Sequence, residues 1–165
     1  MRSIMKGIAF FVLLAVAGCA HVVSRDVREA ADRSLPSRAF FADPDAYRGK
    51  VVILGGTIIT TTNTKEGTTI EVLEQPLDSF ERPKDGRDAS FGRFIVFHPE
   101  YLDPAVHTMG KLVTVAGEVM GSKTGLIGEM EYRYPLIRSR EIHLFRPSGP
   151  SPVYFGIGIG IGGSF

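Results

Sequence analysis

Two ten-residue segments constrain the fold of this chain more than anything else in it. Gly49-Lys50-Val51-Val52-Ile53-Leu54-Gly55-Gly56-Thr57-Ile58 and Gly110-Lys111-Leu112-Val113-Thr114-Val115-Ala116-Gly117-Glu118-Val119 align without a gap. Each opens on Gly-Lys, continues through β-branched residues and carries a glycine seven positions after the first. β-branched side chains have restricted χ1 freedom in a helix and pack well on a pleated surface, so both segments read as strands. A glycine inside a strand weakens it and marks a bulge or a bend where a barrel turns a corner. Gly56 and Gly117 therefore predict two long, bent strands with equivalent roles. Coincidence between two Val/Gly-rich strands is the plainer alternative.

Four more strands fit around these. Residues 68–73 follow a turn at Lys65-Glu66-Gly67, and residues 92–97 are apolar on both faces, as in a strand covered on both sides. Residues 126–132 pair with the second bent strand across a turn at Ser122-Lys123-Thr124-Gly125. In the last strand, 136–145, Leu136 shares a face with Ile142 and Leu144, and Arg138 and Arg140 lie between them. Either these arginines sit at the edge of the core or a bulge near Ser139 re-aims them. Strands of this spacing favour a small barrel over a sandwich. The expected class is mainly β: a small, partly open OB-like barrel with a short N-terminal helical lead-in. In that lead-in Ser24 is placed to cap a short polar helix with Val27, Ala30 and Ala31 on one side, and Leu35-Pro36 ends it. Asp43-Pro44 opens a helical turn that Gly49 closes.

Two connections stand out. Residues 76–91 form a long stretch with alternating acids and bases, and long loops in compact domains are either functional or disordered. Its ends are expected to be held by Leu77 and Phe91. With the strand residue beside it, it supplies the candidate binding set Asp78, Arg82, Arg87 and Arg93. His98-Pro99-Glu100-Tyr101-Leu102-Asp103-Pro104 mixes prolines with Tyr101 and Leu102 and is expected to be pinned to the barrel.

The N-terminus states an address. Arg2 and Lys6 precede the apolar run Ile8-Ala9-Phe10-Phe11-Val12-Leu13-Leu14-Ala15-Val16, which is about half of the ~20 residues a spanning helix needs. Val16-Ala17-Gly18-Cys19 follows and looks like a bacterial lipobox, whose cysteine is lipidated and becomes the mature N-terminus. An ordinary secretory leader with an incidental cysteine is the alternative. Cys19 is the only cysteine, so a lipidated Cys19 leaves no thiol for disulfide, metal or redox chemistry. Of the 19 Lys and Arg, the leader removes two and leaves 17 against 18 acids; that balance speaks against nucleic acid as a partner. Ala20, rather than aspartate, after the cysteine favours sorting to the outer membrane, lipid-anchored and facing the periplasm. The chain thus divides into a signal peptide (1–18), a lipidated tether and lead-in (19–48), a barrel domain (49–146) and a Pro/Gly-rich tail (147–165). In the tail Ile157, Ile159 and Ile161 alternate with glycines, which suits strand addition to the same barrel, to a second copy or to an envelope partner; a flexible tail, favoured by glycine entropy, is the plainer alternative.

No complete catalytic motif is present. His21, His98, His107 and His143 are scattered, and Ser79, Ser90 and Ser139 lack a nucleophile-elbow pattern. No cofactor or metal is expected. The pieces Tyr47-Arg48-Gly49-Lys50-Val51, Gly55-Gly56-Thr57-Ile58, Pro76-Leu77-Asp78, Ser90-Phe91-Gly92-Arg93-Phe94, Leu102-Asp103-Pro104, Val113-Thr114-Val115-Ala116-Gly117, Ile127-Gly128-Glu129 and Tyr132-Arg133-Tyr134-Pro135 occur in order. With the lipobox they resemble the Slp family of bacterial outer-membrane lipoproteins, named for a starvation-inducible member. The chain departs from that pattern at Leu54, where the family would place a tryptophan, and the resemblance stops before the tail. It implies a non-enzymatic envelope lipoprotein with a structural or interaction role under starvation or stationary phase. Two alternatives stand beside it: a binding module that takes a small ligand, glycan or lipid at the barrel mouth, and a hydrolase or other enzyme with dispersed residues. The resemblance brings no catalytic residues.

Overall fold

The computed structural model of the protein describes residues 21–84 and 89–146. Cys19 and the leader, Arg87 with the centre of the long loop, and the tail from Pro147 lie outside the described residues. In chain order the elements are α1 (Arg25–Ala30), α2 (Ser37–Ala42), a 3-10 turn (Pro44–Tyr47), β1 (Val51–Thr64), β2 (Gly67–Glu74), β3 (Arg93–His98), β4 (Leu112–Ile127) and β5 (Met130–Leu144). The strands follow each other around a barrel as β1-β2-β3-β5-β4, and β4 returns to β1. This is the five-stranded, mainly β, OB-like architecture. The barrel is closed rather than partly open, and its thinnest seam is the parallel contact of Ile95, Val96 and Phe97 with Leu136, Ile137 and Arg138.

The core is built from alternate residues of every strand. Ile58, Ile70, Val72, Phe94, Val96, Val113, Val115, Val119 and Ile137 are all buried in one cluster. Phe40 joins them from α2, a helix the sequence did not announce, and its ring meets Phe41 and Tyr47 edge-on. Phe41 in turn meets Phe94 edge-on. Six residues are too few for a helix to stand alone, so α2 exists because Phe40 and Phe41 bury here. Phe40 completes the core at this end of the barrel.

Residues 126–132 and 136–145 do not form separate strands, and among the described residues the barrel has five strands instead of six. β4 runs straight through Ser122-Lys123-Thr124-Gly125, and the hairpin turns at Gly128-Glu129. Gly128 supplies the positive φ that a two-residue hairpin turn needs at its first position. Ser122 stays extended because its N–H and hydroxyl are both held by Asp45. Residues 92–97 also differ from expectation. Phe94 and Val96 face the core, while Ile95 and Phe97 remain half-buried on an outer face that no further layer of the described residues covers.

The bulge near Ser139 is present. Ala116 pairs with Glu141 and Gly117 with Ser139, so Arg140 is an extra residue on β5. Before it Ile137 and Ser139 point inward; after it Ile142 and Leu144 do, and Arg138 and Arg140 both reach solvent. A one-residue insertion moves every later side chain to the other face, so the sequence needed no arginine in its core. Leu136 consequently does not share the inward face of Ile142 and Leu144.

Gly56 and Gly117 do hold equivalent places. A Cβ on Gly56 would stand 1.9 Å from the carbonyl oxygen of Leu73, and one on Gly117 would stand 2.3 Å from that of Arg138. Each glycine therefore lets a neighbouring strand come closer than any side chain permits. Alanine at either position is expected to cost clearly more than the ~1 kcal/mol of an ordinary point change, because backbone must move. Urea unfolding of Gly56→Ala and Gly117→Ala checks this; midpoints equal to wild type for both would remove the reason given for the bend.

Candidate functional site

The N-terminal segment and the first half of the long loop build one site on the outside of β1 and β4. Residues 76–84 fold over Gly55 and Thr114: Lys84 N–H donates to the Pro76 carbonyl, Leu77 bridges to Pro83, and Gln75 N–H donates to the Gly55 carbonyl at 2.8 Å. Leu77 and Pro83 lie so close that a Cβ on Gly55 would meet both. Asp78 organises this turn. Its carboxylate accepts the N–H groups of Arg82 at 2.9 Å and Phe80 at 2.8 Å, and the bond from Arg82 leads in holding its carboxyl below the usual carboxylate range.

Glu81 sits at the centre. It is 6 % exposed and holds φ +67°, the one positive φ among the described non-glycine residues. Its N–H donates to the Asp78 carbonyl, and its own carbonyl accepts the Thr114 hydroxyl at 2.6 Å. That placement costs roughly 1–3 kcal/mol of backbone strain, and the partners of the side chain show what offsets it. The Glu81 carboxylate accepts the Val23 N–H at 3.1 Å and a guanidinium N–H of Arg33, also at 3.1 Å. His21 Nδ1 stands 3.8 Å and Arg28 Nε 3.9 Å from it. A single buried carboxylate thus gathers both flanks of α1.

The strap formed by residues 21–35 is fastened elsewhere too. Val23 is buried, and Asp32 N–H donates to the Val51 carbonyl at 2.9 Å. Ser24 stands at the expected cap position, but its side chain does not cap α1; its N–H and hydroxyl both go to Glu141 on β5. Between strap, β1 and loop lies a half-open cleft of about 300 Å³, with Leu35, Phe40, Leu54 and Leu77 as its apolar walls and Asp32 and Asp78 at its rim.

The four candidate binding residues do not converge. Asp78 lines this cleft, and Arg82, in the same turn, lays its guanidinium over the Phe145 ring at 5.0 Å. Arg93 is on β3, paired with Glu71 at 2.8 Å, a contact that raises its pKa. Arg87 lies outside the described residues. Of the loop ends, Leu77 is packed as expected, and Phe91 leans on Phe41 with its ring partly exposed. In the second connection Leu102, not Tyr101, does the pinning: its N–H donates to Thr68 Oγ1 at 2.9 Å while Tyr101 is 71 % exposed.

Sequence reading missed three arrangements. His98 Nδ1 and Ser139 Oγ lie 2.8 Å apart, and the Ser139 hydroxyl also contacts the Phe97 carbonyl at 3.2 Å. When the hydroxyl gives its one proton to the carbonyl it accepts from the imidazole, the reverse of what general-base activation requires. The pair stitches the thin β3–β5 seam. At the far end, Asp45 accepts from Ser122, Arg133 and Arg48, with the Ser122 hydroxyl and then Arg133 contributing most to holding its carboxyl well below the ordinary range. The third is Glu74, 5 % exposed on the core-facing side of β2, whose carboxylate accepts the Phe91 N–H at 2.8 Å; burial pushes its pKa up. No spacing in the sequence marks any of these, because each joins residues from distant strands. Among the described residues no three His, Asp or Glu side chains gather as a metal site.

Two outcomes follow from these contacts. Replacing Glu81 by Ala leaves the strap without its central acceptor, and an unpaired buried donor costs about 1–3 kcal/mol. Amide exchange in residues 23–33 is expected to accelerate while β2 and β3 keep their protection; unchanged exchange at Val23 would show that the strap does not depend on Glu81. Glu74 predicts a pH dependence of opposite sign to that of Asp45. With its folded pKa raised, the unfolded chain releases the proton first, so stability falls as pH rises from about 4.5 through the folded value. Glu74→Gln keeps the acceptor for Phe91 and removes that slope. The variant should exceed wild type in stability at pH 7 and match it near pH 4, measured by urea unfolding at both.

Comparison with known proteins completes the assignment. The outer membrane lipoprotein Slp family matches residues 16–156. The lipoprotein YeaY of Escherichia coli K12 is 30 % identical over 138 residues, covering 83 % of this chain and 70 % of that protein. Outer membrane protein Slp of the same organism is 29 % identical, over 62 % of this chain and 53 % of that one. An uncharacterized protein of Haemophilus influenzae is 32 % identical over 58 % of this chain, and the match spans about half of that relative's length. Yeast mitochondrial single-stranded DNA-binding protein Rim1 is 14 % identical, with a TM-score of 0.38 over 59 % of this chain and 96 % of that one. Among the described residues no helix is long and apolar enough to cross a membrane. The chain belongs to the Slp family of outer membrane lipoproteins.

Proposed function

We propose that this protein is a lipid-anchored structural or interaction module of the outer membrane, facing the periplasm, with Cys19 as its anchor and no catalytic role, deployed under starvation or stationary phase. One observation carries the reading. The described chain is held only two residues after Cys19, where His21 Nδ1 stands 3.8 Å from the Glu81 carboxylate and Val23 is buried. A linker of that length leaves the barrel seated at the membrane surface. One acyl chain anchors only marginally and several anchor stably, so a multiply acylated Cys19 fixes the domain in place. The ordering of His98 and Ser139 favours a structural over a catalytic part for the seam between β3 and β5. Starvation and stationary phase rest on the family resemblance.

The test is metabolic labelling with a radioactive or clickable fatty acid, in cells producing wild type or Cys19→Ala. Label is expected on wild type only, and the variant should leave the outer-membrane fraction. Added protease should cut wild type only after the outer membrane is permeabilised. Equal labelling of both proteins would overturn the anchor, and cleavage in intact cells would overturn the orientation.

A further inference from the structure

The first half of β1 has one edge that no described strand covers. β1 pairs with β4 over Val51–Thr57 but with β2 only from Gly56 onward. Peptide groups alternate in direction along a strand, so every second residue serves the same edge. On the edge away from β4 the Val51 carbonyl accepts from Asp32 and the Gly55 carbonyl accepts from Gln75. Ile53 lies between them with its N–H and carbonyl aimed at the same side, where no described backbone group pairs with it. Val51 to Gly55 is about 13 Å of strand, room for about three extended residues. This edge forms a wall of the cleft bounded by Leu35, Phe40, Leu54 and Leu77.

The chain also carries a segment whose sequence has the pattern of an uncharged strand. Residues 153–165 contain no charge, and Ile157, Ile159 and Ile161 alternate with Gly156, Gly158, Gly160 and Gly162. The barrel ends beside the cleft: Phe145 lies under Arg82, in the same turn as Leu77 and Asp78, and its N–H donates to the carbonyl of Leu112, the residue paired with Thr57. Six residues, Pro147 to Pro152, join this point to Val153, and a Pro-rich stretch of that length reaches roughly 19 Å. Ile53 is four residues along β1 from Thr57, or about 13 Å, so the span suffices.

We propose that the segment 153–165 of the same chain adds to the free edge of β1 at Ile53 as a short antiparallel strand and fills the cleft with its isoleucines. The direction follows from the exit point, since a chain coming from the level of Thr57 enters the gap at Gly55 and runs toward Val51. The glycines let its backbone approach in the narrow space between Asp32 and Gln75, and the isoleucines meet Leu35, Phe40 and Leu54. An uncharged strand edge and an open sheet edge, each a hazard alone, cover one another.

Amide exchange of Ile53 in the full mature chain in detergent micelles tests this. Ile53 should exchange at least about tenfold more slowly than in a chain lacking 153–165, or in one carrying Ile157→Asp and Ile159→Asp. The amides of Leu54 and Gly56, which face β4, serve as the control that each variant is folded and should not change. Isotope-labelled truncated chain mixed with unlabelled full chain should gain no protection at Ile53. Protection gained in that mixture, or lost on dilution, would assign the cleft to a second copy and overturn the proposal. Equal exchange in all three chains, fast or slow, would overturn it too. So would protection that appears only when envelope extract is added.

Discussion

Everything in this molecule depends on one strand that serves two neighbours. β1 gives its first half to β4 and its second half to β2, and the two pairings overlap at Gly56 and Thr57. A strand that changes partners must coil, and coiling brings carbonyls of adjacent strands toward its inner side. At Gly56 the Leu73 carbonyl fills the space a Cβ would take, and Gly117 admits the Arg138 carbonyl in the same way. Small barrels meet the edge problem by closure, and these two contacts are what closure required here. The extra residues at Ile59, Met120 and Arg140 then adjust which face each strand turns inward.

The parts of this design that could be read from the sequence are local. Two aligned glycines among β-branched residues gave away the coiled strands. The clash of Arg138 and Arg140 with an apolar face left two readings, an edge of the core or a bulge, and the structure has the bulge. Ser122–Gly125 misled because its composition is that of a turn, whereas its conformation is set by Asp45, 77 residues earlier. α2 was invisible for a similar reason: Ser-Arg-Ala-Phe-Phe-Ala has no period to speak of, and the barrel end supplies the reason for its helix. Glu81 looked like one more charge in a solvated loop. Its burial comes from a strap 48 to 60 residues away, a relation that no window of sequence contains.

The short motifs that signal the family acquire physical roles in the structure. Tyr47-Arg48 and Tyr132-Arg133 are brought together where both arginines share Asp45. Tyr132 also approaches Gly92 closely enough to exclude a side chain there, and its hydroxyl accepts the Arg93 N–H. Of the paired glycines, Gly55 admits Leu77 and Pro83 from the loop while Gly56 admits the next strand. These are requirements of assembly. They explain why such pieces travel together in a chain without implying a reaction.

The hairpin of β4 and β5 ends in mechanics. Beyond Leu136 its two strands, among the described residues, pair only with each other, out to Ile127 and Met130, and Leu126 and Met130 near the tip are 65 % and 74 % exposed. A free ribbon of that kind would flex at its root. Here the root is gripped on one side by Asp45 through Ser122 and Arg133, and on the other by the Tyr132 and Tyr134 hydroxyls at Arg93 and Glu71. With both sides braced, the ribbon works as a lever without a pivot of its own. A push at its tip is delivered as torque to the 3-10 turn and β3, and so to the barrel as one body.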